Sequence, residues 1–178
     1  MTELGFAVFG TAIGPCAIAW GPRGVVGVQL PEDSEAATRA RVSEYFGEAT
    51  ESEPPQGIRH AIDEIVALLE GSREDLTDIE VDWHGVPDFH RRVYELTRAV
   101  PPGKTITYGD IANQLGQPGS AQAVGQALGR NPFPIVIPCH RVLAAGHKDG
   151  GFSGAGGVAT KRRMLVIEGA IADEPTLF

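Results

Sequence analysis

Proline and glycine partition the second half of this chain before any tertiary contact is considered. Pro101-Pro102-Gly103 and Gly116-Gln117-Pro118-Gly119 do not belong inside helices, because proline lacks an N–H and clashes with the preceding turn, and glycine there costs about 1 kcal/mol relative to alanine. The stretches around them carry helical signatures. A first helix is predicted from an N-cap at Asp88, with Phe89, Val93, Leu96 and Val100 on one apolar stripe. Tyr108 to Leu115 forms a second helix, and Ser120 is placed to cap a third over Ala121 to Gly129. The last two, joined by a short turn containing glycine, have the outline of a helix-turn-helix, although plain αα-hairpins share that outline. In the third helix Ala121, Ala123, Gly125 and Ala127 carry almost no side-chain bulk, which suits either close approach of a partner or close packing of another helix.

The first half reads differently. Short β-rich segments at Gly5 to Thr11, Cys16 to Trp20 and Val25 to Leu30 are separated by Gly14-Pro15 and Gly21-Pro22, the pattern of a small antiparallel meander. Helices follow at Ser34 to Phe46 and Gln56 to Leu69, the latter with Ile58, Ile62, Ile65, Val66 and Leu69 at helical spacing, then a short strand at Ile79 to Trp83. The composition shifts at Gly85 to Pro87, which divides the chain into 1–85 and 86–178. The fold class is α/β (α+β): an N-terminal antiparallel sheet with helices, then a mainly helical, winged helix-turn-helix-like unit. No internal repeat or low-complexity stretch interrupts this order, and the tail after Gly169 is expected to fray.

The net charge of -8 argues at first against nucleic acid, whose affinity for proteins comes largely from Lys and Arg on phosphates. The average conceals an asymmetry: residues 1–85 carry 5 basic and 16 acidic side chains, residues 86–178 carry 10 basic and 7 acidic. Any DNA contact is therefore expected in the second half. No apolar run approaches the roughly 20 residues that span a bilayer, and the N-terminus has no signal-type segment, so the expected location is the cytoplasm, with no membrane partner. Cys16 and Cys139 are far apart, and no structural disulfide is expected in that compartment.

One segment offers chemistry. In Ile135-Val136-Ile137-Pro138-Cys139-His140-Arg141-Val142 an apolar, strand-like run delivers a cysteine and a histidine together. A thiol of pKa near 8.5 needs a neighbouring base or cation to react quickly at neutral pH, and His140 and Arg141 are at hand. On an extended strand neighbouring side chains point to opposite faces, so Cys139 and His140 cooperate only if the chain turns there or a water bridges them. An inert buried thiol is the competing reading.

Pro138-Cys139-His140-Arg141-Val142 resembles the active-site signature of the O6-alkylguanine-DNA alkyltransferases. Upstream, Pro102 to Ala112 resembles the family's first DNA-domain helix, and Ala123-Val124-Gly125 with Asn131-Pro132 its recognition helix and exit. Downstream, Gly151-Phe152-Ser153-Gly154 and Glu168-Gly169 resemble the substrate loop and final helix. The resemblance implies a suicidal repair protein that needs no cofactor and no obligate protein partner. A helix-turn-helix enters the minor groove of double-stranded DNA, O6-alkylguanine is flipped out, and Cys139 takes the alkyl group, with O4-alkylthymine a further substrate. His140 acts through a water as base and Glu168 orients it. Tyr108 binds guanine N3, the Ser153 amide holds O6, the Val142 carbonyl receives the exocyclic amine, and Asn131 ties the recognition helix to the active-site turn. DNA contacts fall to Ser120, Gln122, Ala123, Gly125, Gln126 and Arg130, while Arg141 is structural.

The sequence departs from the family pattern at Gln122, where relatives carry an intercalating arginine, and at Gln126 and Phe152. Gln122 fills space and hydrogen-bonds, but lacks the charge and planar stacking face of a guanidinium. Cys16, His60, His84 and His90 have no recognisable ligand spacing, so no metal is expected. Three other readings compete. A non-enzymatic lesion sensor would bind O6-alkylguanine and recruit repair factors without becoming modified. A regulator using Cys139 as its signal would bind DNA sequence-selectively. A cysteine hydrolase would need an oxyanion site that the sequence does not suggest.

Overall fold

The computed structural model describes residues 4–73, 75–146 and 157–172. Strands β1 (Gly5–Thr11), β2 (Gly14–Gly21) and β3 (Gly24–Gln29) form the expected antiparallel meander. Helix α1 (Glu35–Tyr45) starts at Ser34, whose hydroxyl accepts from the Ala37 amide, and α2 (Gln56–Leu69) follows. The central strand, β2, is covered on both faces. Ala17 and Ala19 pack with Phe6 and Val42 of α1, whereas Cys16, Ile18 and Trp20 enter the larger core with Ile58 and Ile65 of α2, as the period of two requires.

Two features of this sheet differ from the expectation. A fourth strand, β4 (Thr50–Glu51), pairs in parallel with β1. It is exposed and polar, so no hydrophobic alternation announces it. The strand expected at Ile79 to Trp83 contracts to one bridge between Val81 and Val25. The outer edge of β3 is shared: Val25 exchanges hydrogen bonds with Glu80 and Asp82, while the Val28 amide donates to the Pro132 carbonyl of the second half, 2.9 Å.

The second half contains α3 (Asp88–Arg98), β5 (Ile106–Thr107), α4 (Tyr108–Gln114), α5 (Ala121–Gly129), β6 (Val142–Leu143) and α6 (Gly157–Ile167). Pro87, not Asp88, is the N-cap of α3; Asp88 is its first helical residue, where its charge opposes the positive end of the helix dipole. Thr107 and Asp110 close a reciprocal capping box on α4. Ser120 flanks α5 as expected, yet its hydroxyl donates back to Gln117 O, 2.7 Å, because its backbone is not in the extended conformation from which a cap accepts.

Helix α5 packs through Val124, Ala127 and Leu128, leaves Ala121, Ala123 and Gly125 half-buried, and exposes Gln122 and Gln126. The small size of Ala127 therefore serves packing: Tyr94 of α3 donates its phenol to the Ala127 carbonyl at 2.6 Å. One buried apolar cluster joins Val25, Leu30, Ile65 and Leu76 to Val93, Ile111, Phe133 and Val136 of the second half, each large side chain contributing about 1.5–3 kcal/mol. Among the described residues, no helix is long and apolar enough to cross a membrane.

Candidate active site

The segment leading to Cys139 is not a strand. Pro134 and Pro138 withdraw two backbone donors, and Ile135 adopts a left-handed φ of 75°, at a cost of about 1–2 kcal/mol for a side chain with a Cβ. The chain folds back so that Ile137 N donates to Phe133 O (2.8 Å) and Cys139 N to Ile137 O (2.7 Å). Cys139–Arg141 is then a single 3₁₀ turn. This turn is the geometric condition for cooperation: Cys139 is half-buried while His140 and Arg141 are driven fully inward.

Inside, the buried histidine, arginine, lysine and carboxylate side chains among the described residues are His140, Arg141, Lys161 and Glu168. Glu168 receives His140 Nε2 at 2.8 Å on Oε2, and Arg141 on both oxygens, Nε at 2.8 Å and Nη2 at 2.9 Å. Arg141 Nη1 also donates to Val100 O, 2.7 Å. Burial opposes ionisation of Glu168, but hydrogen bonds from Arg141 and His140 outweigh it and hold its carboxyl down at about 2. An ionised carboxylate only accepts, so Nε2 carries the ring proton of His140. Burial lowers the His140 pKa, with the Arg141 and Lys161 charges adding to that, and Glu168 offsets only part of it. The imidazole is thus neutral, with Nδ1 as its lone-pair nitrogen; among the described residues Nδ1 is buried without a hydrogen-bond partner.

Burial pushes the Cys139 thiol up, opposed by a hydrogen bond from the Asn131 side chain, the Lys161 charge and the amides of Cys139 and His140. A thiol in that position needs a base, and His140 is the adjacent one. Asn131, directly after α5, donates Nδ2 to Ile137 O at 2.9 Å and accepts from the Phe133 amide at 2.9 Å, linking the helix end to the cysteine turn. Tyr108, first residue of α4, lies half-buried over Gly125 of α5, 3.9 Å from where a Cβ would stand. Burial and then the neighbouring Cys139 raise its phenol pKa, so the hydroxyl stays a donor. The Val142 carbonyl already accepts from Lys161 Nζ at 3.0 Å. Ser153, and with it the loop at 151–154, lies outside the described residues.

Two residues outside the expected catalytic set belong to this cluster. Arg141 was expected to be structural, and it is also the main ion-pair partner of Glu168. Lys161 was not singled out, although it lies seven residues before Glu168, two helical turns away and hence on the same face. On and just after α5, Gln122, Gln126 and Arg130 are exposed about one helical turn apart, and Ser120, Ala123 and Gly125 are half-buried. Of the residues weighed as metal ligands, His60 alone meets two others of ligating type among the described residues: its Nε2 is 3.2 Å from both Glu64 and Asp78. His60 and Asp78 are well exposed, and the three form a surface ion-pair cluster.

A cysteine on a turn, backed by a buried histidine–carboxylate pair and set beside a helix-turn-helix, defines a class: a cysteine group-transfer site mounted on a DNA-binding frame. Residues 88–170 match the family model described as 6-O-methylguanine DNA methyltransferase, DNA binding domain. The methylated-DNA–protein-cysteine methyltransferase of Methanothermobacter thermautotrophicus is 36% identical over 152 residues, covering 85% of this chain and 78% of that protein. That of Mycobacterium tuberculosis is 41% identical over 114 residues, 64% of this chain and 67% of its own length. Among solved structures, M. tuberculosis OGT in complex with DNA superposes with a TM-score of 0.74 at 33% identity, covering 93% of this chain and 92% of that one. The chain belongs to the methylated-DNA–protein-cysteine methyltransferase family.

Proposed function

We propose that this protein repairs DNA by direct reversal, moving the alkyl group of O6-alkylguanine, and of O4-alkylthymine, onto Cys139 in one irreversible turnover. The observation that carries this reading is the His140–Glu168 pair, which fixes a neutral imidazole with its lone pair on Nδ1, in the residue next to the cysteine. A water relays the Cys139 proton to Nδ1, and the thiolate attacks the alkyl carbon. The S–C bond forms as the C–O6 bond breaks, and the electron pair of the latter passes to the purine. Tyr108 donates to purine N3 and stabilises that anion, the Ser153 amide holds O6, and the second lone pair of the Val142 carbonyl takes the exocyclic amine. Glu168 stabilises the imidazolium. The product is a thioether without a route to hydrolysis, so each molecule acts once.

The exposed face of α5 enters the minor groove of the duplex, with Gln122 filling the space of the flipped base and Ser120, Ala123, Gly125, Gln126 and Arg130 along the backbone. The charge asymmetry of the sequence supports this placement. We divide the chain into an N-terminal domain, 1–85, and an alkyltransferase domain, 86–178, on the composition break at Gly85 to Pro87, and place its work in the cytoplasm with its DNA substrate. A sensor needs neither a nucleophile nor a base, so the presence of both favours repair. Incubation with a duplex carrying one O6-methylguanine, followed by intact mass and peptide mapping, is expected to show one methyl on Cys139; unmodified protein that still binds the lesion would restore the sensor reading.

Gln122 makes a separate prediction. Gln122→Arg supplies the charge and stacking face that a flipped base leaves unpaired, and is expected to raise the transfer rate from duplex about threefold to tenfold, or about 1 kcal/mol, while leaving transfer from free O6-methylguanine unchanged. Equal acceleration of both substrates would remove this account of Gln122.

A further inference from the structure

Two arginines grip Glu168, one at each end. Arg141 holds its carboxylate and also the Val100 carbonyl. Arg73, from the loop after α2, donates Nη1 to the Glu168 main-chain carbonyl at 3.1 Å and to the Pro102 carbonyl at 3.4 Å. Both guanidiniums therefore pin the same two segments together, the 100–102 turn that follows α3 and the C-terminus of α6. The local backbone is shaped for this contact. Gly169 ends α6 with φ 77°, and the Gly169 and Ala170 amides bond back to Val166 and Leu165, which leaves the Glu168 carbonyl as an unpaired helix end that a cation caps favourably. Gly103 has φ 89°, and a Cβ there would stand 2.7 Å from Arg73 Nη1; only glycine lets the guanidinium lie against that turn.

We infer that Arg73 is a positioning residue for alkyl transfer, through which the N-terminal half of the chain fixes the carboxylate that orients the catalytic base. The inference rests on the repair reading above. It assigns the first half a part in the chemistry: the Glu168 peptide is anchored by a side chain that the 86–178 half does not contain. When Arg73 is lost, Glu168 loses the anchor on its main-chain carbonyl, the peptide that carries the carboxylate shifts, the His140 Nε2–H···Oε2 contact loosens, and the imidazole is no longer held in one orientation. Misplacing a catalytic group by about 1 Å is enough to slow a reaction by up to about two orders of magnitude.

The test uses the full chain with Arg73→Ala and Arg73→Lys. Single-turnover methyl uptake is measured from methylated duplex and from free O6-methylguanine, alongside duplex affinity, melting temperature and the proton resonance of His140 Nε2–H. Arg73→Ala is expected to slow both substrates by the same factor, about tenfold to hundredfold, at unchanged duplex affinity, and to broaden the His140 resonance; Arg73→Lys recovers part of the rate. If Arg73→Ala does not fold, Arg73→Lys against wild type carries the comparison, a point charge replacing the planar fork. A folded variant with wild-type rates and an unchanged resonance overturns the proposal, and so does a fall in melting temperature alone. Wild-type protein that takes up no methyl overturns the repair reading instead, while the His140 resonance still reports whether Arg73 positions the base.

Discussion

Cys139→Ala is expected to take up no methyl group from alkylated duplex, and still to bind it. The expected loss of transfer is at least about 10⁴-fold, the scale on which enzymes lose rate when their nucleophile is removed. Binding is expected to persist because the face proposed to meet DNA, with the exposed Gln122, Gln126 and Arg130, does not include the half-buried Cys139, and removing one sulfur atom there leaves the helices in place. Intact mass reads the first half of this result and a gel-shift titration the second. The wild-type peptide map contains its own control: Cys16 is buried and its thiol is pushed up to about 12 by desolvation, so it is expected to remain unmodified while Cys139 is labelled. Full transfer by Cys139→Ala would sink the assignment of the nucleophile.

Most of the fold was legible because its signals are local. Helix α2 could be bounded from the spacing of Ile58, Ile62, Ile65 and Leu69, and α4 and α5 from the proline and glycine clusters around them. The misses share a cause: each depends on a partner distant in sequence. β4 is two exposed polar residues that become a strand because β1 offers them an edge. The Ile79 to Trp83 segment has strand composition, but Pro132 takes part of the β3 edge it would have paired with. The apolar run before Cys139 has β-branched residues and yet turns, since two prolines and a left-handed Ile135 dictate its path. At the site, the motif pointed to Cys139, His140 and Glu168, whereas Lys161 and Arg73 carry no motif and emerge only when α6 and the loop after α2 are folded against the cysteine turn.

Glu168→Ala is expected to produce the largest loss of stability of any single substitution at the site. Among the described residues Arg141 would keep its bond to Val100 O, and the carboxylate that it pairs with in the buried cluster would be gone. Removing one partner of a buried ion pair typically costs about 3–5 kcal/mol, which in a chain of this size lowers the melting temperature by about 10 °C. The same carboxylate sets the acid sensitivity of the wild type. Its pKa falls from 4.5 to about 2 on folding, so its contribution, about 3 kcal/mol, is complete above pH 4.5 and is lost as the pH falls from there toward 2. His140 acts in the same direction at higher pH. Its pKa is depressed in the folded state from 6.5, so below that value the unfolded chain takes up a proton that the buried imidazole refuses. Glu168→Gln separates the two effects, because it keeps the shape of the side chain and discards its charge. Urea unfolding between pH 7 and pH 3 should show the wild type losing stability across the whole range, and the glutamine variant, already weaker at pH 7, losing it less steeply than the wild type below pH 4.5, where the Glu168 contribution is gone and that of His140 remains. An unchanged slope in that variant would mean that the acid sensitivity arises from carboxylates elsewhere.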